Sequence, residues 1–321
     1  MLTDNLLREY LESVCPDVHS SRLSALLDVA SALKTSRNLS LTSMGRRIKS
    51  QTSLKHRVKK VDRLESNHHL HAELSELYGG LSDFIFQYIH HESRRPIIVD
   101  LCYMQDNRAI QMLSAEIPLK GRSIPVYREI FSSGTLKGRA SGFLSKLRGL
   151  LAQDSSVIII MDAGFGEDWL QAIEQQGWDW ILRIRKGKNI RLMPEGAWIN
   201  LKTDFPPIGT RAKSYAQASI MSRHAHACRI VTKKKSEQRT TSGYRKRPSN
   251  YHVGNDTYRR AAKEPWILAT SLSSQDCSTP QIVAYYSKRM QIEESFRDVK
   301  SHRYGLGARY AKTTSVERWG G

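Results

Sequence analysis

The sequence predicts an α/β protein, because segments with helical and with strand periodicity alternate along most of its 321 residues. Near the N-terminus leucines recur at three- and four-residue spacing, which indicates helices. From about residue 91 short apolar runs are separated by polar or glycine-containing links, which indicates strands. The 50 Lys and Arg residues against 31 Asp and Glu leave a net charge of +19, so a polyanion is the first partner to consider.

Residues 1–90 are predicted to form a helical domain. Two short helices are expected between Ser40 and Leu64, and the second should begin near Ser53. Basic residues line the polar side of both helices. A helix-turn-helix motif, which places its second helix on DNA, would show this pattern. A pair of amphipathic helices whose polar side faces solvent would show it as well. The basic residues on the polar side are Arg46, Arg47, Lys49, Lys55, Arg57, Lys59, Lys60 and Arg63. The candidate DNA contacts among them are Lys55, Arg57, Lys59 and Lys60.

The next segment is predicted to form a mixed sheet covered by helices. Its first three apolar runs follow one another closely, which is typical of an antiparallel meander. A helix, a strand, a second helix and another strand should follow. The expected elements are strands at 96–101, 108–119 and 122–131, a helix at about 136–152, a strand at 157–161, a helix near 169–176 and a strand at 178–185.

A strongly basic segment comes next. Residues 186–263 contain 18 Lys and Arg against 4 acids, a net +14, without a strong helical period. We interpret 188–263 as a β-rich or partly disordered insertion that holds phosphates. Within it, His224, His226 and Cys228 would share one face of a strand; a zinc site is geometrically possible, an ordinary polar strand face is the alternative, and their role stays open.

Regular structure is expected to resume with a strand at Glu264 and with a long helix opened by Thr279 as the N-cap and Pro280 at the first helical position. In a continuous helix four polar side chains would fall within a sector of about 60° and face a cleft. Those side chains are Tyr286, Arg289, Glu293 and Lys300.

Three acids are the candidate catalytic residues. Asp100 and Asp162 end hydrophobic strands, where a rigid backbone can hold a carboxylate still, and Glu293 lies on the polar helix face. Together they offer the hard oxygen ligands that two Mg²⁺ ions, or Mn²⁺ as a substitute, would need, with Arg289 and Lys300 nearby to bind phosphates. The alternatives are plain turn-forming aspartates and an ordinary surface ion pair of Glu293 with Arg289 or Arg297.

The spacing Tyr286-x₂-Arg289-x₃-Glu293-x₆-Lys300 resembles the Y-R-E-K signature of bacterial DDE transposases in the insertion sequence four family. The runs that begin at Lys263, Tyr286 and Tyr304 are similar to the insertion-sequence-ten members of that family. The resemblance implies a ribonuclease-H-like core with Asp100, Asp162 and Glu293 as the metal-binding triad. The core would comprise residues 91–187 and 264–321, with the basic insertion between its two parts.

The resemblance also implies roles for further residues and partners. Trp266 would be the tryptophan that stacks on a flipped base during hairpin formation, while Tyr286, Arg289 and Lys300 would contact the DNA end. The partner would be double-stranded DNA, both terminal inverted repeats and target. A homodimer would pair two ends, and the expected location is the cytoplasm, at the nucleoid, without a membrane.

Two departures from the family pattern lead to further expectations. After Asp100 the chain has Leu101 and Cys102, where relatives usually show Trp and a small hydroxyl residue. Relatives also continue well beyond Lys300, so the chain is expected to be C-terminally truncated. This leaves a second hypothesis, an inactive DNA-end-binding protein that inhibits the full-length transposase, and a third, a different ribonuclease-H-like nuclease.

Overall fold

The computed structural model describes residues 2–36, 39–88, 94–134, 136–151, 156–185, 187–222, 225–234, 264–301, 306–308 and 316. Its helices are α1 (Leu2–Val14), α2 (Ser20–Thr35), α3 (Leu41–Arg47), α4 (Leu54–Glu65), α5 (His68–Tyr88), α6 (Ala140–Leu150), α7 (Glu167–Gln175), α8 (Thr279–Ser287) and α9 (Met290–Lys300). Its strands are β1 (Arg95–Tyr103), β2 (Ile110–Pro118), β3 (Ser123–Ser132), β4 (Val157–Met161), β5 (Asp179–Arg183), β6 (Asn189–Ile190), β7 (Ile199–Asn200), β8 (Lys213–Ile220), β9 (His226–Lys233) and β10 (Trp266–Thr270).

The described strands form a large mixed sheet with the order β3-β2-β1-β4-β5-β10-β9-β8, and β6 pairs with β7 in a small separate ribbon. Strand β2 is antiparallel to both β1 and β3, so the predicted meander is confirmed. The α/β class with a large sheet and flanking helices is likewise confirmed, and it is consistent with a ribonuclease-H-like transposase domain.

The chain divides into two compact units, each of which is discontinuous in sequence. The first comprises Met1–Ile159, Asp168–Trp178 and Lys288–Gly321, and the second comprises Ile160–Glu167 and Asp179–Ser287. The division into 1–90, 91–187, 188–263 and 264–321 instead follows the order of the chain and stays a prediction. The predicted basic segment contributes β6 to β9 up to residue 234, whereas residues 235–263 lie outside the described residues.

In the first unit, α1 to α5 share a core, and helices α3 and α4 of this core approach each other very closely. A Cβ atom built on Gly45 of α3 would lie 2.7 Å from Cγ2 of Val58 in α4. Only a residue without a side chain fits at this position without displacing its neighbour. The two short helices predicted between residues 40 and 64 are confirmed, and the second begins at Leu54, directly after Ser53.

Helix α9 packs against strands β1, β2 and β3 of the first unit. Ile292 and Phe296 are buried on its inner side, as their spacing of four residues allows. On its outer side, Arg122 from the β2–β3 turn donates to the carboxylate of Asp298 at 2.6 Å. Apolar contacts and this ion pair therefore fix the helix that carries Glu293.

In the second unit, strand β9 pairs with β8 and with β10 and carries a buried arginine. Arg229 is only 4% exposed. It donates to the carbonyls of Ser273 and Cys277 at 3.1 and 2.6 Å, and to the hydroxyls of Ser214 and Thr279 at 2.7 and 2.6 Å. Burial lowers its pKa from the ordinary value. These bonds tie the loop before α8 to the sheet.

The long helix predicted from Thr279 is wrong in one respect, because helical hydrogen bonding is interrupted at residues 288 and 289. The hydroxyl of Ser287 donates to the carbonyl of Ala284 at 2.7 Å, and such bonds compete with the backbone pattern of a helix. Thr279 is the first residue of α8 and not, as predicted, its N-cap, and its hydroxyl accepts from Arg229. Within the part of the chain that the structure describes, no helix has the length and apolarity needed to cross a membrane.

Candidate active site and DNA-binding surface

Two of the three predicted acids meet at one arginine in the first unit. Arg289, in the turn before α9, donates through Nη1 to Oδ2 of Asp100 at 2.9 Å. Its Nη2 donates to Oε1 of Glu293, in the first turn of α9. The Arg289 side chain is 8% exposed, and those of Asp100 and Glu293 are 17% and 28% exposed. The structure therefore places two carboxylates around a buried cation.

The carboxylate of Asp100 is held on both of its oxygens. Oδ1 accepts from the backbone N–H of Leu101 at 2.8 Å, and Oδ2 accepts from Arg289. The prediction that Asp100 ends its strand is wrong, because β1 continues to Tyr103 and is paired to β2 in regular register on both sides of the acid. A side chain fixed at both oxygens on a paired strand has little freedom to turn, which suits a ligand or a catalytic group.

The donor chemistry of this cluster fits a divalent cation. Carboxylate oxygens are the ligands that Mg²⁺ and Mn²⁺ prefer, and Asp100 and Glu293 already converge on one positive charge. Within the described residues, however, no three His, Cys, Asp or Glu side chains are grouped as a metal site would require. The three-acid site stays a prediction, and the residues that would hold the ion here are Asp100 and Glu293.

Asp162, the other predicted acid, follows β4 and belongs to the second unit. Nη2 of Arg185 donates to its Oδ2 at 3.3 Å. The loop 163–167 after it lines a cavity of about 510 Å³ together with Arg183, Arg185 and Lys188. The acid therefore lies at the end of a buried strand, as predicted, in surroundings that are rich in cations.

Tyr286 and Trp266 contact each other within the second unit. Their ring centroids are 5.0 Å apart with planes at 78°, an edge-to-face arrangement. Tyr286 is 2% exposed, whereas Trp266 at the start of β10 is half-buried. Because the helix is interrupted after Ser287, the prediction that put Tyr286, Arg289, Glu293 and Lys300 on one continuous helix face is wrong.

Lys300 is the last residue of α9 and is half-buried. Its Nζ lies 5.9 Å from the centroid of the Phe296 ring, one turn earlier. Glu294, the neighbour of Glu293, pairs with Arg297 at 2.6 Å on the exposed side of the same helix. Glu294 therefore points away from Asp100. The sequence pattern predicts this, because adjacent residues are about 100° apart around a helix.

The basic residues of α3 and α4 divide into two groups. Arg57 donates to the carbonyl of Ile48 at 3.0 Å, and Lys60 pairs with Asp28 of α2, so both help to hold the helices together. The remaining cations of this surface, which we call the α3–α4 basic surface, are exposed. They are Arg46, Arg47, Lys49, Lys55, Lys59 and Arg63.

The possible zinc ligands in the basic segment are described only in part. His224 lies outside the described residues. The ring of His226 lies 5.6 Å from that of Trp180, and Cys228 is buried with its pKa raised to about 12 by burial. A bound zinc ion would itself remove the proton of such a thiol, so the role of the three residues stays open.

Three residues that sequence reasoning missed lie near the predicted acids. Arg185 pairs with Asp162. Its position at the end of a predicted strand could have indicated that it lies near the acid. Glu116 and Arg128 form a buried ion pair on β2 and β3 at 2.8 Å. An acid within an otherwise apolar strand needs a buried partner, and this requirement could have found the pair.

A family model described as a transposase DDE domain matches residues 141–318, more than half of the chain. The chain belongs to the DDE transposase family. The matched segment of this DDE transposase contains Asp162 and Glu293, whereas Asp100 lies before it. Comparison of the transposase with curated proteins finds no match.

Membership in the family sets the general function. The protein is a transposase, a metal-dependent enzyme that processes nucleic acid, and DNA is what it binds. The cluster of Asp100, Arg289 and Glu293 in the first unit combines carboxylates, which suit a divalent cation, with an arginine, which suits phosphates.

Proposed function

We propose that the chain is a cut-and-paste DNA transposase of a bacterial insertion sequence in the insertion sequence four family. It would cut phosphodiester bonds at the ends of its element and join those ends to target DNA. The observation that carries the proposal is the convergence of Asp100 and Glu293 on Arg289 in a chain with a transposase DDE domain. The Y-R-E-K spacing of residues 286–300 supports the family.

The proposed catalytic residues are Asp100, Asp162 and Glu293, which would hold two Mg²⁺ ions, or Mn²⁺ in their place. When bound, such ions lower the pKa of water and stabilise charge on attacking and leaving oxygens. Arg289 would hold the Asp100 and Glu293 carboxylates in place until the ions bind and would then bind a phosphate of the DNA end, as Lys300 would.

For Trp266 we propose the stacking role in a hairpin intermediate. The half-buried indole has Tyr286 against it edge to face, which fixes the ring and leaves part of it open. Stacking on an aromatic side chain stabilises an unpaired base by about 1–3 kcal/mol. Tyr286, because it is buried, would act on the DNA through Trp266.

The α3–α4 basic surface is proposed to bind the terminal inverted repeats. Its exposed cations suit the phosphates of double-stranded DNA, and Lys55 and Lys59 are the exposed members of the residues predicted from sequence. Arg57 and Lys60 are partly exposed, so their positive charge would also attract the DNA. We further propose that a homodimer pairs two ends and that the reaction takes place at the nucleoid in the cytoplasm.

The test is cleavage of a labelled duplex that carries an end of the element, with the full chain and Mg²⁺ or Mn²⁺. The wild type should nick the end, and Asp100→Asn, Asp162→Asn and Glu293→Gln should each abolish nicking while the mobility shift of the duplex persists. Glu294→Gln is the matched control, because Glu294 pairs with Arg297, and it should nick like the wild type. Nicking by the Glu293→Gln variant at the wild-type rate would refute the assignment.

The same contact favours a second candidate function. Arg289 already neutralises part of the charge of Asp100 and Glu293, as it would in a protein that binds DNA ends without cutting them. Such a protein would compete with a full-length transposase for the ends. It would shift the labelled duplex without nicking it at any concentration of Mg²⁺ or Mn²⁺.

A further inference from the structure

A row of polar residues crosses three strands of the first unit and begins at Asp100. Asp100 on β1 lies opposite Ser114 on β2, and Ser114 lies opposite Arg128 on β3. Directly opposite residues of antiparallel strands point to the same face, with Cβ atoms about 4.5–5.5 Å apart. The side chain of Ser114 therefore neighbours that of Asp100 on the side of β2, and that of Arg128 follows on β3.

Glu116 fixes the other members of this row. Its carboxylate is completely buried and accepts from Ser114 Oγ at 2.7 Å, from Ser123 Oγ at 2.6 Å and from Arg128 Nη2 at 2.8 Å. Nε of Arg128 also donates to Ser114 Oγ at 3.1 Å. The serine hydroxyl thus donates to one partner and accepts from another, which leaves it a single orientation.

The backbone of this region is adapted to the network. The pairing of β2 with β3 shifts register between Ala115 and Glu116, which is a β-bulge. The extra residue is Val126 on β3, which lies between Pro125 and Tyr127 and has no partner on β2. Bulges are common next to active sites. This one falls between Ser123 and Arg128, the two residues of β3 that donate to Glu116.

Cys102 lies two residues after Asp100 on β1, so its buried side chain is on the same face of the strand as the acid. Ser114 and Arg128 belong to this face as well, because they lie opposite Asp100 in the register.

We propose that Ser114, Glu116 and Arg128 are positioning residues for the carboxylate of Asp100. The proposal rests on the role given to Asp100 in the proposed function. Arg128 lies two strands from Asp100, a distance of about 10 Å, and Glu116 neutralises it there. Without Glu116 the guanidinium would attract the Asp100 carboxylate, in competition with Arg289 and with a divalent cation, and Ser114 would lose its fixed orientation.

The decisive variant is Glu116→Gln, which keeps the size of the side chain and removes its charge. Titration calorimetry of the full chain with Mn²⁺, without DNA, should show binding about 10- to 100-fold weaker than wild type, the usual effect of removing a residue that supports a metal ligand. A crystal structure of the metal-free variant should show the 2.9 Å contact of Asp100 with Arg289 lengthened or broken.

Glu73→Gln is the matched control. Glu73 pairs with Arg22 between α5 and α2, and its side chain is 15% exposed, so the same chemical change breaks another shielded ion pair of the unit. This variant should lose thermal stability and keep the wild-type affinity for Mn²⁺. Ser114→Ala is the milder second variant, and it should weaken Mn²⁺ binding in the same direction even if Glu116→Gln does not fold.

The outcomes separate this inference from the proposed function. If Asp100→Asn weakens Mn²⁺ binding while Glu116→Gln and Ser114→Ala bind like the wild type, the positioning role is overturned and the proposed function stands. If wild type and Asp100→Asn bind Mn²⁺ alike, the role of Asp100 is overturned and the positioning role with it. Weaker binding by Glu116→Gln and Ser114→Ala, with an unchanged Glu73→Gln control, supports the inference.

Discussion

The guanidinium of Arg289 lies 2.9 Å from the carboxylate of Asp100, although the two residues are 189 positions apart in the chain. The same guanidinium contacts Glu293, four residues further on. Two negative charges and one positive charge are therefore held together in a largely buried cluster. Its stability depends on the cation, and this dependence can be measured without DNA.

Arg289→Gln should lower the free energy of unfolding by about 3–5 kcal/mol, because removing one partner of a buried ion pair leaves uncompensated charge. Urea denaturation of the full chain measures the change. Mg²⁺ should restore more stability to this variant than to the wild type. Arg297→Gln, whose side chain is 62% exposed, is the control and should change stability by no more than about 0.5 kcal/mol. Equal stability of Arg289→Gln and wild type would contradict the prediction.

Trp266→Ala should impair hairpin formation more than first-strand nicking, because only the hairpin requires an unpaired base to be stacked. Both products are resolved on a denaturing gel with an end-labelled duplex. Trp266→Phe keeps an aromatic ring and should recover most hairpin formation. If the alanine variant is equally defective in both steps, Trp266 serves only to pack against Tyr286.

Lys55→Gln combined with Lys59→Gln should weaken DNA binding and make it less sensitive to salt. The slope of log K against log salt concentration is negative, and each phosphate that is no longer neutralised reduces its magnitude by about 0.9. The slope of the double variant should therefore be smaller in magnitude by up to about 2. Binding is measured by fluorescence anisotropy at several salt concentrations. Lys146→Gln on α6, also exposed, is the matched control. An unchanged slope in the double variant would remove the α3–α4 basic surface from the DNA interface.

Gly45→Ala should destabilise the protein by about 1–3 kcal/mol, because its Cβ would meet Val58 at 2.7 Å. Gly142→Ala on α6 is the matched control, since nothing lies within 4 Å of the added carbon. The control should stabilise the protein by about 0.5–1 kcal/mol through its higher helix propensity. Urea denaturation gives both values, and two changes of the same sign would show that the α3–α4 contact is looser than described.

The buried thiols should resist alkylation at pH 8 in the native protein and react after unfolding. Burial raises the pKa of Cys15 to about 11 and those of Cys102 and Cys228 to about 12, against 9.0 in the unfolded chain. The folded state therefore retains protons that the unfolded state loses, so stability should fall as pH rises from about 9 toward 12. Iodoacetamide labelling followed by mass spectrometry tests the first statement, and rapid native labelling of Cys102 would contradict it.

Much of the fold could be predicted from the sequence because local patterns determine it. The meander, the short helices around Ser53 and the buried strand at 157–161 each follow from periodicity over a few residues. The interruption at Arg289 could not be predicted in this way. Each of the two helices keeps a helical periodicity, and a rule for helical faces assumes that the helix continues between them.

The candidate site shows the same limit. Asp100 and Glu293 were selected by position and spacing, and the structure brings them to one cation. The network around Glu116 was missed because its members look like ordinary strand residues until cross-strand pairing is known. Pairing register is set by the whole sheet, so residues that act through a neighbouring strand are hidden from inspection of a single segment.

Arg229 makes β9 dependent on a single residue type. Its planar guanidinium reaches two carbonyls and two hydroxyls at once, and the ammonium of a lysine has only three donors, all on one atom. A lysine there would preserve the charge and still leave a shielded oxygen without its donor. At this interior position the shape of the cation matters as much as its charge, so lysine is not a conservative replacement for arginine.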